Sequence, residues 1–309
     1  MGSISDVPGI RVGHVQRDSG GWLTGVTVVL PPPDTVGSVD VQGGGPATHE
    51  TDALDPTTLV STVDAIVLTG GSAYGLASAA GAQRWCEDNG RGFSVPGGVV
   101  PIVPAAAIFD LGRGGDFTAR PTPDMGYAAT AAAAAQKEGH DVGRGNVGAG
   151  TGALLGRTYK GGVGTASITL EKGVVVGALA IVNALGLPTV EHSLLTESAV
   201  GPPLNTTLVV VATNAVLDVA ECKRTASASH AGIARALNPS HTLADGDTVF
   251  CLATGAVALD RSDEAARQLS LITLQSAAAD VVRSAILDGV ASAEGVSTPA
   301  GEYGAYRTA

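Results

Sequence analysis

The chain has 309 residues, of which 44% are hydrophobic and 15% are charged, a composition that supplies enough apolar surface for a packed globular core. It carries 18 basic and 29 acidic side chains, and the net charge of −11 opposes binding to nucleic-acid phosphates and to anionic membranes. No apolar run reaches the ~18 residues of a membrane span, and the start lacks a basic region followed by an apolar stretch. We therefore expect a cytoplasmic protein, and the three widely spaced cysteines predict buried free thiols.

The first half of the chain predicts short strands and helices separated by turns rich in glycine and proline. In chain order these are strand-like runs at 7–15, 24–30 and 64–69, a turn at 70–75 into a helix that runs to about residue 89, an apolar run at 101–109 and an alanine-rich helix at 127–137. A glycine-rich segment, 143–152, comes next. Its residues 143–148 match Gly-x-Gly-x-x-Gly, but a polar helix end precedes them where a dinucleotide-binding loop requires a strand. We interpret the segment as a loop.

The second half alternates strands with longer helices. Its predicted elements are a hairpin from the runs 164–170 and 174–183, a linker at 187–203, a strand from 206, helices at 219–237 and 263–287, and a strand at 248–254. The tail from residue 294 is polar and glycine-rich, which predicts a mobile segment. We expect one α/β unit with two packed sheets flanked by helices.

The stretch 201–214 joins a turn-forming segment with two prolines to an apolar, β-branched run, and Thr206 stands at the junction. From composition alone, Thr206 and Thr207 also fit as ordinary strand residues. The chemistry favours a second interpretation, because a hydroxyl directly after Asn205 can attack the preceding carbonyl group. Cleavage there would leave Thr206 with a free α-amine, whose reference pKa of about 7.7–8 suits a base for its own hydroxyl. We therefore predict that Thr206 is both nucleophile and base.

Three segments together resemble one enzyme family. They are residues 205–214, which read Asn-Thr-Thr-Leu-Val-Val-Val-Ala-Thr-Asn, residues 241–250, which read His-Thr-Leu-Ala-Asp-Gly-Asp-Thr-Val-Phe, and residues 4–14. Over nearly its whole length the chain thus resembles the self-cleaving P1 family of L-aminopeptidase/D-esterases, β-peptidyl aminopeptidases and nylon-oligomer hydrolases. The resemblance implies a four-layer αββα sandwich of the aminopeptidase/ornithine acetyltransferase type. It also implies that the single domain, 1–309, is cleaved into segments 1–205 and 206–309 and assembles as a homotetramer.

The resemblance further assigns roles to residues that by themselves fit turns. Asn183, at a predicted strand end, matches an amide that stabilises the oxyanion of the tetrahedral intermediate. Asp245 and Asp247, which alone also fit half of a calcium loop, match carboxylates around the nucleophile. Nylon-oligomer hydrolases carry a catalytic lysine after the glycine-rich loop. The best-aligned residue here is Arg157, which could act only through its charge, and Lys160, three residues later, would otherwise substitute from a shifted loop.

The candidate substrate-binding residues are Phe109, where some relatives carry tyrosine, Tyr74 and Asn146. The implied reaction is hydrolysis of the peptide or amide bonds of small substrates through an acyl-enzyme on Thr206, with no cofactor and no metal. Two alternatives stay open. One is an acyltransferase of the ornithine acetyltransferase type, which passes the acyl group to an amine, and the other is an uncleaved ligand-binding relative.

Overall fold

The structure, a computed structural model, describes residues 2–188 and 204–307, so most of the linker predicted at 187–203 lies outside the described residues. The strands are β1 (Arg11–Arg17), β2 (Thr24–Leu30), β3 (Val36–Val41), β4 (Thr48–His49), β5 (Ile66–Thr69), β6 (Phe93–Val95), β7 (Gly98–Val100), β8 (Ala105–Ala107), β9 (Leu154–Leu155), β10 (Tyr159–Lys160), β11 (Val163–Thr169), β12 (Val175–Asn183), β13 (Thr206–Ala215), β14 (Thr248–Val257), β15 (Val296–Thr298) and β16 (Gly301–Ala305). The α-helices are α1 (Ser72–Gly75), α2 (Ser78–Asp88), α3 (Pro123–Ala134), α4 (Val219–Ala236) and α5 (Glu264–Ala291). Short 3-10 helices occur at Ile4–Asp6, Thr51–Leu54, Gly148–Gly152 and Glu171–Gly173.

Two five-stranded sheets form the centre of the molecule. The first has the order β1-β2-β5-β8-β4, with β5 and β8 parallel and the other pairs antiparallel. The second has the order β11-β12-β13-β14-β3, with β13 and β14 parallel and the other pairs antiparallel. Every residue of β2 and β13 is buried. Strands covered on both faces are near-continuous apolar runs, which is why these two segments do not alternate apolar with polar residues.

The two sheets pack face to face, and helices cover their outer faces. One hydrophobic cluster lies between the sheets and includes Leu208 and Val210 of β13. A second lies between the first sheet and helices α2 and α3, and a third between the second sheet and helices α4 and α5. Val209 and Val211 belong to the third cluster, because successive side chains of a strand point to opposite faces. The predicted αββα sandwich is confirmed.

Strand alternation and register bring two polar side chains to one end of the layer between the sheets. Thr206, the first residue of β13, lies on the same face as Leu208 and Val210. Asn183, the last residue of β12, is the antiparallel partner of Thr206. Both residues are buried. The fold therefore sets the predicted oxyanion donor directly opposite the predicted nucleophile.

The long helices begin and end close to the predicted residues, because their starts carry capping signals. The Asp218 side chain accepts the N–H of Glu221 in a capping box at the start of α4, and the Asp263 side chain accepts the N–H of Ala266 at the start of α5. The helix predicted to end near residue 89 is divided into α1 and α2. None of the helices in the described ranges is both long and apolar enough to cross a membrane.

The prediction of a mobile tail is wrong, because the residues after 294 form a hairpin. Strands β15 and β16 pair antiparallel, and β16 adds in parallel to β10, which also pairs with β9. The backbone N–H and C=O groups of the tail are paired within this small sheet. Such pairing does not depend on apolar side chains, so the sequence shows no pattern that would predict it. The Thr298 hydroxyl of β15 also donates to the carbonyl oxygen of Arg113 at 2.7 Å.

The contact between β11 and α5 gives a test of the packing. A Cβ atom on Gly164 would lie 2.1 Å from both the carbonyl oxygen of Ala285 and the amide nitrogen of Gly289. Gly164→Ala should push α5 away from the sheet and lower the free energy of unfolding by about 1–3 kcal/mol, measured by urea denaturation.

Gly98→Ala is the matched control, since a Cβ atom on Gly98 in β7 meets no heavy atom within 4 Å. Its free energy of unfolding should stay within about 0.5 kcal/mol of wild type. Equal stability of the two alanine variants would contradict the close packing of β11 on α5.

Candidate active site

The hydroxyl of Thr206 lies against the carbonyl group that precedes it. Its Oγ1 donates to the carbonyl oxygen of Asn205 at 2.5 Å, and that oxygen also accepts the N–H of Gly246 at 2.9 Å. A Cβ atom on Gly246 would lie 2.7 Å from the Thr206 Oγ1, so a larger residue there would crowd the hydroxyl. The peptide bond between Asn205 and Thr206 therefore has a hydroxyl beside it and a backbone donor on its oxygen.

Two backbone segments fix this arrangement. The N–H of Asn205 donates to the carbonyl oxygen of Ala244 at 3.0 Å, and Asn205 forms a parallel bridge with Asp245. From the other side, the N–H of Gly45 donates to the carbonyl oxygen of Asp245 at 2.8 Å. A Cβ atom on Gly43 would lie only 2.3 Å from that same oxygen, so the glycine-rich segment after β3 is needed for the close approach.

Asp247 ties the second residue of β13 to a histidine. Its Oδ1 accepts the N–H of Thr207 at 2.7 Å, and its Oδ2 accepts the backbone N–H of His241 at 3.0 Å and lies 2.8 Å from the His241 Nδ1. Burial disfavours the charged imidazole, but the hydrogen bond and charge of Asp247 outweigh it, so the pKa of His241 is raised. The His241 ring packs edge-on against that of His230, with 4.8 Å between the ring centroids.

Asp245 is the second buried carboxyl group of this turn. Its Oδ2 accepts the N–H and the hydroxyl of Thr242 at 2.8 and 2.6 Å. Burial raises the pKa of Asp245, and the charge of Asp247 adds to this effect, although the Thr242 hydrogen bonds oppose it. In residues 2–188 and 204–307, no group of three His, Cys, Asp or Glu side chains is arranged to hold a metal ion.

The Asn183 amide has hydrogen-bond partners on its oxygen but none on its nitrogen among the described residues. The Asn183 Oδ1 accepts the Arg113 Nη1 at 2.6 Å and the N–H of Leu154 at 3.0 Å. The Nδ2 is buried and has no hydrogen-bond partner among the described residues. A buried amide N–H without a partner is costly, so this group stands out, and the oxyanion role of Asn183 stays a prediction.

Of the two candidate cations after the glycine-rich loop, Lys160 is the buried one. Its Nζ donates to the carbonyl oxygens of Gly150, Thr151 and Ala153 at 3.2, 3.0 and 2.6 Å. Arg157 lies in the turn between β9 and β10 with a φ of 65° and is partly exposed. Of the two, it is therefore Lys160 that binds the carbonyl groups just before Leu154, whose N–H donates to Asn183.

Lys160 belongs to a buried charge cluster with Arg113 and Asp110. Burial and the charge of Arg113 lower the pKa of Lys160 to about 7, against the opposing effect of Asp110. Burial lowers the pKa of Arg113 to about 10, so Arg113 stays charged at neutral pH. Burial raises the pKa of Asp110, whose Oδ1 accepts the N–H of Gly71 at 2.6 Å.

The three candidate substrate-binding residues lie in different surroundings. The Asn146 side chain pairs with the backbone of Glu294, donating to its carbonyl oxygen at 2.8 Å and accepting its N–H at 3.2 Å. Tyr74 is 56% exposed, and the Arg120 guanidinium lies 3.7 Å from its ring centroid. Phe109 is partly buried and directly precedes Asp110. The described side-chain bonds of Asn146 are to the backbone, and substrate contact by Phe109, Tyr74 and Asn146 stays a prediction.

Sequence reasoning missed Asp110, Arg113 and His241 as members of the site. A signal for the first two exists, because Asp110 directly follows the apolar run 101–109 and the opposite charge of Arg113 comes three residues later. A charge at the end of a buried strand is expensive unless it has a partner, so it marks a polar cluster. His241 precedes the two predicted aspartates in the same turn, but the sequence does not show which of them it contacts.

Comparison with known proteins adds to this geometry. The family model of peptidase family S58 matches residues 2–303. The chain belongs to peptidase family S58. The predicted family and fold are therefore confirmed. The predicted activity class is confirmed too, because a peptidase of this family is a hydrolase that acts on peptide or amide bonds.

Relatives of this S58 peptidase share the same activity class by name. A Mycobacterium tuberculosis protein named as an uncharacterized aminopeptidase is 49% identical over 96% of each chain. A 6-aminohexanoate-oligomer endohydrolase of Paenarthrobacter ureafaciens is 26% identical over 92% of this chain and 84% of its own. The L-aminopeptidase D-Ala-esterase/amidase of Ochrobactrum anthropi, described as a variant of the Ntn-hydrolase fold, matches with a TM-score of 0.75 at 22% identity, covering 99% of this chain and 91% of that one. The last similarity concerns the fold.

Replacing Lys160 tests which cation supports the site of this S58 peptidase. Lys160→Met keeps the apolar stem but removes three hydrogen bonds to carbonyl oxygens, each worth roughly 1 kcal/mol. At pH 7 its free energy of unfolding should fall by about 3 kcal/mol in urea denaturation. Arg157→Met is the control and should change stability by no more than about 0.5 kcal/mol. The reverse order of the two losses would identify Arg157 as the supporting cation.

The raised pKa of His241 predicts a pH-dependent contribution to stability. Because the folded pKa exceeds the unfolded reference of about 6.5, the contribution is full below pH 6.5 and is lost as pH rises through the folded pKa. His241→Asn keeps a side-chain N–H and tolerates the φ of 57°, but it cannot become charged. Urea denaturation between pH 5.5 and 8.5 should show that the free energy of unfolding of wild type exceeds that of the variant by more at the acid end than at the alkaline end. A difference that does not vary with pH would mean that His241 does not titrate against Asp247.

Proposed function

We propose that this S58 peptidase cleaves its own chain between Asn205 and Thr206 and then hydrolyses small peptides or amides with Thr206 as the new terminal nucleophile. The observation that carries the proposal is the position of the Thr206 hydroxyl on a carbonyl oxygen that already accepts the Gly246 N–H. The Ntn type of the family agrees with a nucleophile at a chain start created by processing.

Self-cleavage begins with attack by the Thr206 Oγ1 on the carbonyl carbon of Asn205. The Gly246 N–H stabilises the negative charge that develops on the Asn205 oxygen. The bond from that carbon to the Thr206 nitrogen breaks, the nitrogen takes up the hydroxyl proton, and an ester remains between Asn205 and the Thr206 Oγ1. Water hydrolyses the ester, which leaves a carboxylate on Asn205 and a free α-amine on Thr206.

Substrate hydrolysis uses the new amine as the base. It accepts the proton of the Thr206 Oγ1 as this oxygen attacks the substrate carbonyl carbon, and it later returns the proton to the leaving amine. The Asn183 Nδ2 donates to the oxyanion, and Asp247 holds the backbone of Thr207 so that the nucleophile keeps its direction. Water then releases the acyl group from Thr206. The proposed substrates are small peptides or amides, and the proposed assembly is a tetramer of processed chains.

The nucleophile is tested by removing the hydroxyl without changing the shape of the side chain. Thr206→Val should fold but remain a single uncut chain, and its kcat should fall by several orders of magnitude, as after loss of a catalytic nucleophile. Thr206→Ser keeps the hydroxyl and should be both cut and active. Denaturing gels with amino-terminal sequencing measure processing, and release of amine from amino-acid amides measures turnover.

Wild-type protein should give a fragment that begins Thr206-Thr207-Leu208. An uncut wild type that binds amides without turnover would favour a ligand-binding protein. If an added amine acceptor captured most of the acyl product, the reaction would be acyl transfer and the hydrolase proposal would fail.

A further inference from the structure

The orientation of the Asn183 side-chain amide depends on Arg113. Two donors, the Arg113 Nη1 at 2.6 Å and the Leu154 N–H at 3.0 Å, occupy the Asn183 Oδ1. If the amide rotated by half a turn, its Nδ2 would face both donors and both bonds would be lost. The two donors therefore fix the Nδ2 on the side of the amide away from themselves, on the sheet face that Asn183 shares with its cross-strand partner Thr206.

Arg113 is itself held in place by two further hydrogen bonds and by a nearby opposite charge. Its Nη1 also donates to the carbonyl oxygen of Gly152 at 2.6 Å, and its own carbonyl oxygen accepts the Thr298 hydroxyl at 2.7 Å. Asp110 provides an opposite charge in the same buried cluster. The guanidinium is thus a fixed cation against the amide oxygen, and it polarises the amide so that its N–H groups become better donors.

The two reactions of the chain place their developing charges on different donors. The oxygen of Asn205, which becomes negative in self-cleavage, accepts the Gly246 N–H. The Asn183 Nδ2 has no partner among the described residues and is available as a donor to a substrate oxyanion. A change that acts through Asn183 should consequently affect turnover and leave processing intact.

Resting on the proposed function, we propose that Arg113 is a positioning residue for substrate hydrolysis, which fixes and polarises the Asn183 amide and is not required for self-cleavage. Neither the family motifs nor the roles implied by the resemblance include Arg113. Because Arg113 affects only the orientation and strength of one hydrogen-bond donor to the oxyanion, its loss should lower kcat more than it weakens substrate binding.

The experiment compares Arg113→Met and Arg113→Lys with wild type on the processed protein. Arg113→Met should lower kcat about 10- to 100-fold, the usual effect of losing an orienting partner, and change KM by less than about threefold. Arg113→Lys keeps one cationic donor and should lie between Arg113→Met and wild type. The rate at which the fragment beginning with Thr206 forms should stay within about threefold of wild type in both variants, followed on denaturing gels.

Arg91→Met is the matched control, because the Arg91 guanidinium also donates to two backbone carbonyl oxygens, those of Pro31 and Asp64, in another part of the fold. It should leave kcat unchanged. A double-mutant cycle distinguishes action through Asn183 from a general structural effect of Arg113. Once Asn183→Ala has removed the amide, at a cost of about 10²- to 10³-fold in kcat, Arg113→Met should cause no further loss.

The outcomes separate this proposal from the function on which it rests. If wild type is cut and active but Arg113→Met and Arg91→Met have equal kcat, or if the Arg113 and Asn183 effects multiply, the positioning role is wrong. If Arg113→Met blocks processing as well as turnover while Arg113→Lys does neither, Arg113 supports the whole site and the separation of donors is wrong. An active Thr206→Val would instead overturn the proposed function.

Discussion

The antiparallel register between β12 and β13 is the constraint on which the site depends. It makes Asn183 the partner of Thr206, and strand alternation points both side chains into the layer between the two sheets. A shift of one residue would turn Thr206 toward the helices and end its pairing with Asn183, the predicted oxyanion donor. The register is well specified, because both strands are buried on both faces and a slip would misplace every apolar side chain of the two central clusters.

Two clusters of buried polar residues flank this strand pair. On one side, Lys160, Arg113 and Asp110 lie near the glycine-rich loop, and Arg113 donates to Asn183. On the other side, Asp247 and His241 hold the backbone that follows the nucleophile. Such groups cost free energy to bury unless they are hydrogen-bonded. Three buried atoms of these groups, the Asn183 Nδ2, the Asp110 Oδ2 and the His241 Nε2, have no partner among the described residues, and the proposed function uses the first of them as a donor.

Sequence reasoning reached the parts of this site that lie on strongly patterned segments. The strand after Thr206, the helices α4 and α5 and the Asp245-Gly246-Asp247 turn all carry local signals, either apolar runs, caps or turn residues. It did not reach Arg113 or the hairpin of the tail, since both depend on contacts between segments far apart in the chain. The Thr298 hydroxyl and the Arg113 carbonyl are 185 residues apart, and nothing local in either segment predicts that they meet. Asn146 and Glu294 are likewise far apart, 148 residues, which is why the sequence did not indicate their pairing.

The arrangement of strands also explains how the chain would stay assembled after the proposed cleavage between β12 and β13. The proposed cleavage separates β12 from β13 in sequence, yet the two strands pair along eight residues of each. On the far side, β14 of the second segment pairs with β3 of the first. The second sheet thus joins both segments through buried backbone hydrogen bonds and two hydrophobic clusters, so loss of one peptide bond removes no strand pairing. A new chain start at Thr206 then lies at the end of a fully buried strand. Its position is set by the sheet, and this rigidity lets a terminal amine, normally among the most mobile groups of a protein, serve as a fixed base.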